Sequence, residues 1–437
     1  MPPQKQIARE IFRQALATID IATVMERKLE LDGTRLVLPY ATVDLAHISR
    51  VVVVAIGKAA HAMVAGFLRF MPSHMRVEGI VAAPTEVAEP VTGVRYFVGG
   101  HPVPNHDSLR AAVEILRLLG TCETSTLVVF LLSGGGSALV ELPLDPALKL
   151  EDVQAMHHAL VTCGASIDAI NTVRRHLSAV KGGRLALAAG AAQKITLAIT
   201  DVPVGKEAAL ASGPSLPDPT SIADVQRIFG ERDLLKRFPA ALQAWISDGH
   251  MAETPKADHP AFAKAHFELL LGMEDLFHAT HHAAEARGYV SFCDNSTDDW
   301  PVEKAADALL LELRKWQREN PGQRVAVIAD GEISSPVTGN GAGGRNSALV
   351  LACVEKIAGK NVTVLSAGTD GIDGNSPAAG AVADGETLAR AKASSLNPRQ
   401  AFRDSDAYSF FAKLDDAIIT GPTGTNLRDV RILLAEP

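Results

Sequence analysis

The chain has 437 residues, a formal net charge of −8, 47% hydrophobic residues and 21% charged residues. That length exceeds a single hydrophobic core of roughly 100–200 residues and the composition is that of a packed globular chain, so two domains are expected and disorder is excluded. The acidic balance, with no long run of Lys and Arg, argues against a nucleic-acid partner, and the singly scattered Cys122, Cys163, Cys293 and Cys353 argue against a zinc ribbon or a disulfide framework.

The first segment, Gln4 to Met25, has apolar residues at helical spacing interrupted by Lys5, Arg9, Glu10 and Arg13, so it predicts an amphipathic helix and not a signal peptide. No stretch approaches the roughly 20 apolar residues that span a bilayer, and a cytoplasmic location without a membrane partner is expected. Short continuous apolar runs follow at Val51–Ile56, Leu127–Leu132, Ile195–Ile199, Val325–Ala329, Val362–Leu365 and Ala417–Ile419, each ending in a glycine-rich or polar loop. Such runs are what parallel strands covered on both faces by helices look like, which predicts an α/β fold. The polar stretch from Ala241 to Ala261, with Pro255 and Pro260, is the expected linker, placing the boundary between domains 1–245 and 246–437.

Ligands in open α/β sheets bind beyond the carboxyl ends of the strands, where loops and backbone N–H groups converge. The first loop there is Gly57-Lys58-Ala59-Ala60, in which Lys58 can face a phosphate; Val52 and Ala59 stand where a Walker A loop needs glycine and a hydroxyl, so it is not a P-loop. The second is Ser133-Gly134-Gly135-Gly136-Ser137, whose three consecutive glycines carry a conformational cost that close approach of a ligand would explain. Arg174, Arg175, His176, Lys181 and Arg184 then concentrate positive charge over Asn171 to Leu185, although a solvated helix face is the ordinary reading of such a cluster. Asp201 follows another apolar run, where a metal ligand, a base or a turn cap is expected.

The loop Gly339 to Asn346 contains a formal GxGxxG but no strand directly before it and no acidic residue about 20 positions later, so it is a poor dinucleotide fingerprint. It does place Arg345 at the mouth of a helix, where a guanidinium can grip phosphate oxygens. Gly368-Thr369-Asp370-Gly371-Ile372-Asp373-Gly374 and Thr420-Gly421-Pro422-Thr423-Gly424-Thr425-Asn426 add hydroxyls and carboxylates suited to a phosphate and Mg²⁺ environment. His101 and His176 have no elbow-type serine or cysteine partner, which weakens a hydrolase reading.

Taken together, AIGKAA (55–60), GGHPVPN (99–105), LLSGGGSALVELP (131–143), RRHLSAVKGGRLA (174–186), TDVP with ASGPSLPDPT (200–220), GGRN (343–346), AGTDGIDG (367–374) and TGPTGTN (420–426) resemble class II glycerate kinase, the MOFRL-containing glycerate 2-kinase family, some of whose relatives carry the label hydroxypyruvate reductase. The resemblance runs nearly end to end. It implies an N-terminal Rossmann-like three-layer sandwich with a mostly parallel sheet, a second α/β domain, and an active site in the interdomain cleft, with the helix at 4–25 free to pack on the other domain. It also implies phosphorylation of D-glycerate by ATP with Mg²⁺, to 2-phospho-D-glycerate. Lys58, Arg345 and Asp201 are then the expected catalytic residues, and Ser133, Gly134, Gly135, Gly136, Ser137, Arg175 and Lys181 the expected substrate or phosphate ligands. Gly343, Gly344, Asn346, Thr369, Asp370, Thr423 and Asn426 would hold the nucleotide. Asp370 is the metal candidate, and the sequence does not choose between it and Asp201 as ligand or base. The competing readings are an NAD(P)H-dependent hydroxypyruvate reductase and a non-catalytic sugar-acid-binding protein; a homo-oligomer is compatible with all three.

Overall fold

The structure is a computed structural model that describes residues 3–200, 202, 205–425 and 427–437. The chain divides into two compact units, Val24–Leu271 and a second unit that joins the residues up to Thr23 to Gly272–Pro437.

The first unit is built on six strands: β1 Arg50–Ile56, β2 Arg76–Ala83, β3 Val94–Val98, β4 Thr126–Leu132, β5 Gln193–Ile199 and β6 Ala265–Leu271. They pair in the order β3-β2-β1-β4-β5-β6, every neighbour parallel. This is the doubly wound order whose direction reverses between β1 and β4. β4, TLVVFLL, is buried at every residue because helices cover both faces of the sheet. One of these is the helix His106–Leu119, whose Ala111, Ala112, Ile115 and Leu119 pack with Val52, Val54, Val128 and Phe130 in one core. Asn105 caps that helix through Ser108, each side chain closing the other's backbone N–H. A small three-stranded antiparallel sheet precedes β1, covering Glu30–Asp32, Arg35–Val37 and Thr42–Asp44.

The second unit has a mixed sheet of β7 Val290–Cys293, β8 Val325–Asp330, β9 Val362–Gly368, β10 Gly380–Asp384, β11 Ala417–Ile418 and β12 Asp429–Ala435, in the order β7-β8-β12-β9-β10-β11. Only β7 and β8 pair in parallel; β12 lies antiparallel to both β8 and β9. The parallel expectation drawn from apolar runs therefore holds for the first sheet and not for most of the second. A strand buried on both faces reads the same in either direction, so the run alone does not give polarity.

The expected boundary at 245/246 moves to 271/272. Residue 246 lies inside the helix Ala240–Ser247, and the strand beyond it, β6, still belongs to the first sheet, where its residues pair with β5. The N-terminal segment forms α1, Gln4–Thr18, and a separate helix α2, Ile21–Lys28. α1 belongs with the second unit: Ile7, Ala8, Ile11, Phe12 and Ala15 are buried, and Lys5 and Arg9 bind Asp416 and the Asp415 and Ala417 carbonyls. Among the described residues no helix is long and apolar enough to cross a membrane.

Candidate active site

The strand order of the first sheet reverses between β1 and β4, and the loops leaving these two parallel strands are stitched together there. Ser133 N donates to the Ile56 carbonyl at 2.9 Å and Lys58 N to the Gly134 carbonyl at 2.9 Å, while Ala59 N donates to Ser133 Oγ at 3.0 Å. Gly57 has a φ of +132° and an added Cβ would run into Ser133, so this close approach requires glycine. The Ser133 hydroxyl is buried and serves this stitch, whereas Gly134, Gly135, Gly136 and Ser137 line a cavity of about 550 Å³.

His101, Asp168, Asn171, Arg174, Val202 and Lys206 also line that cavity. Lys58 lies close by, since a Cβ on Gly135 would stand 3.4 Å from Lys58 Cγ and 3.0 Å from His101 Cδ2. Partial desolvation, and then the Lys58 charge, push the His101 imidazole below its ordinary pKa.

Asp168, Asn171 and Arg174 recur at every third position of α3, Ile167–Leu177, which puts all three on one helical face. Arg175 is on another face, buried, with its Nε 3.0 Å from Asp218 Oδ1. Lys181 is also buried, donating to Glu141 Oε2 at 2.6 Å and to the Val140 carbonyl at 3.2 Å. Glu141 takes in addition Ser178 Oγ at 2.6 Å and His157 Nε2 at 2.9 Å. Burial alone would raise the Glu141 pKa, but the Lys181 charge and His157 reverse this and hold it well below the carboxylate range. Arg175 and Lys181, expected as ligands, are thus held in internal ion pairs and do not line the cavity, while Arg174 does. Asp201 lies outside the described residues.

In the second unit the remaining candidates gather at one end of the mixed sheet. The loops after β9 and before β12 are joined: Thr369 Oγ1 donates to the Arg428 carbonyl at 2.8 Å, and Thr423 Oγ1 to the Thr369 carbonyl at 2.5 Å. A Cβ on Gly368 would lie 3.1 Å from Asp370 Oδ1 and 3.2 Å from Asp429 Oδ1, so these two carboxylates converge there. Asp330, at the end of β8, is buried with Oδ1 lacking a hydrogen-bond partner among the described residues, and burial raises its pKa. Asn426 lies outside the described residues.

Arg345 opens the helix α4, Arg345–Ile357, and its fork is engaged: Nη1 and Nη2 donate to Glu332 at 2.9 and 2.7 Å, and Nε donates to Asp429 Oδ2 at 2.5 Å. Burial opposes its charge, but the two carboxylates outweigh that and raise its pKa. Gly343 and Gly344 line an apolar recess of about 270 Å³ with Pro336, Val337 and Phe402. The Gly344, Asn346 and Ser347 N–H groups, however, all donate to the Asp373 carboxylate, at 3.1, 2.9 and 2.8 Å, so those donors are already taken. Asn346 is buried, with Oδ1 accepting from Ser366 Oγ at 2.6 Å. Neither Arg174 nor Asp373 stands out by residue type alone; the faces and partners that set them apart come from the folded structure.

Residues 7–247 match the family described as a domain of unknown function, DUF4147, and residues 325–429 match the MOFRL family. A D-glycerate 2-kinase of Thermotoga maritima is 33% identical over 90% of this chain and 92% of its own length. The chain belongs to the class II glycerate kinase family. An Agrobacterium vitis protein whose provisional name is hydroxypyruvate reductase is 32% identical over 98% of this chain and 94% of its own. The crystal structure of a glycerate kinase from Thermotoga maritima has a TM-score of 0.84 and 31% identity, covering 99% of each chain. The glycerate kinase fold thus extends over both units, and both glycine-rich loop sets lie inside the matched regions.

Proposed function

We propose that this enzyme phosphorylates D-glycerate with ATP and Mg²⁺ to give 2-phospho-D-glycerate. The observation that carries the reading is the cavity at the strand-order reversal of the first sheet, which combines a glycine loop, a neighbouring lysine and an arginine in a chain 33% identical to a D-glycerate 2-kinase. Phosphoryl transfer asks a protein chiefly for positioning and for charge stabilisation, and these groups supply both.

The Gly134–Ser137 loop and α3 hold the hydroxy acid, and Lys58 stands beside that loop to stabilise the phosphoryl group as it transfers. Arg345 is the second cation; it exchanges a carboxylate partner for phosphate oxygens in the transition state. The donor chemistry of the second unit fits a hard dication, because Asp370 and Asp429 converge and Asp330 keeps a buried oxygen without a donor among the described residues. Asp370, Asp429 and Asp330 would hold Mg²⁺, which when bound offsets negative charge on the phosphates. Thr369, Thr423 and the recess beside Gly343 and Gly344 are the candidate nucleotide contacts, with contact through side chains and ring surfaces in place of the occupied α4 N–H groups.

Transfer to O2 follows from anchoring the carboxylate near the reacting phosphoryl group, since O2 is one carbon from the carboxylate and O3 is two. Coupling the product through enolase, with and without added phosphoglycerate mutase, tests this: signal that needs the mutase means 3-phosphoglycerate and overturns the assignment.

A further inference from the structure

Two cationic side chains, Arg174 and Lys206, line the cavity besides His101. Lys206 is paired with Asp168, Nζ to Oδ2 at 2.7 Å, and both groups are exposed. Arg174 differs. Among the described residues it makes no hydrogen bond and no ion pair, and its Nε is buried without an acceptor. Among the described residues the carboxylate whose charge acts on Arg174 is Glu141, but the oxygens of that carboxylate already accept from Lys181, His157, Ser178 and the Leu142 N–H. A guanidinium kept partly out of water without a partner is destabilising, and the arrangement becomes favourable only when an anion enters.

The neighbouring hydroxyls say what kind of anion. Ser212 Oγ donates its one proton to Asn171 Oδ1 at 3.0 Å, so the 2.8 Å bond between Ser137 and Ser212 has Ser137 as the donor. With its proton directed at Ser212, Ser137 Oγ keeps acceptor lone pairs, and Asn171 keeps its amide N–H groups as donors. Both residues line the cavity, and Asn171 is one turn before Arg174 on the same face of α3. The wall thus offers a fork for a carboxylate, an acceptor for a hydroxyl proton and a donor for a hydroxyl oxygen.

We propose that Arg174 binds the carboxylate of the acceptor substrate, with Ser137 and Asn171 reading the adjacent hydroxyl, so that this face of α3 selects α-hydroxy acids over polyols. The inference rests on the hydroxy-acid kinase reading and assigns the acceptor side of it to named residues. A planar fork matches a carboxylate in bidentate fashion, which a lysine ammonium does not, so Arg174→Lys is a partial replacement only.

The test uses the purified full-length protein and the variants Arg174→Met, Arg174→Lys and Ser137→Ala. Arg174→Met is expected to raise KM for D-glycerate about 10- to 100-fold while KM for ATP changes by less than about twofold, and Arg174→Lys to fall between it and wild type. Because the guanidinium has no partner among the described residues, Arg174→Met is also expected to keep or raise the melting temperature, which a structural role would lower. An unchanged KM for glycerate overturns the inference, and so does a rise confined to KM for ATP, which would make Arg174 a nucleotide-phosphate ligand. If wild type turns over no glycerate, the kinase reading fails separately, and calorimetry with D-glycerate and glycerol decides the inference: binding of glycerate alone, lost in Arg174→Met, supports it, and no binding or equal binding overturns it.

Discussion

Asp373 closes the first turn of the helix that Arg345 opens: its Oδ2 accepts from the Ser347 N–H at 2.8 Å and from Ser347 Oγ at 2.6 Å. The other oxygen takes the Asn346 N–H at 2.9 Å. A helix N-terminus is the ordinary place for a phosphate, and here an internal carboxylate fills it. Replacing Asp373 by Ala leaves several buried donors unpaired, which is expected to cost roughly 2–4 kcal/mol of stability, read by denaturant unfolding of the second unit's transition. A variant of unchanged stability would mean that these bonds contribute nothing net.

The two cations assigned to charge stabilisation differ in what their loss does to the fold. Lys58 is exposed and makes no ion pair among the described residues, so Lys58→Ala should lower kcat by about 10²- to 10⁴-fold with little change in melting temperature. Arg345→Ala should lower kcat over the same range and also reduce stability, because it leaves the buried Asp429 carboxylate without its partner. An unchanged kcat in either variant removes that residue from the mechanism.

Acid lability should trace to Glu141. Its folded pKa is held well below the unfolded value by Lys181 and His157 against the effect of burial. The stabilisation is therefore complete above the ordinary carboxylate range and lost as pH falls through about 4.5 and below. The Glu141→Gln variant, which cannot titrate there, should show a shallower fall of melting temperature between about pH 5 and 3, together with lower stability at pH 7 from the unpaired Lys181. Parallel curves for the two proteins would contradict this.

NADH should not be consumed with hydroxypyruvate. The Gly339–Gly344 loop follows no strand directly, and its α4 amides are closed by Asp373, so a dinucleotide pyrophosphate has no backbone cradle there. Enzyme-dependent, stoichiometric NADH oxidation would favour the reductase name carried by some relatives.

What the sequence made legible follows burial. Val51–Ile56 and Leu127–Leu132 are continuous apolar runs because β1 and β4 are covered on both faces, and their loops are marked by glycines that the close approach of Gly57 to Ser133 requires. β12 escapes notice because Arg431 interrupts DVRILLA; the arginine is nonetheless fully buried, donating to the Asp330 and Gly331 carbonyls at 3.0 and 2.7 Å. The same limit governs the site. Arg174 and Arg175 are adjacent and chemically identical, and only the phase of α3 against the cavity separates a ligand candidate from the ion pair with Asp218. Lys181 looks like an anion ligand until Glu141, which lies 40 positions earlier, is found beside it.

The most direct test is the reaction itself: purified protein with D-glycerate, ATP and Mg²⁺, followed by ³¹P NMR. ADP and a single phosphomonoester, 2-phospho-D-glycerate, are expected in equal amounts and only when D-glycerate is present. No phosphoester, or the same ATP consumption without D-glycerate, would contradict this.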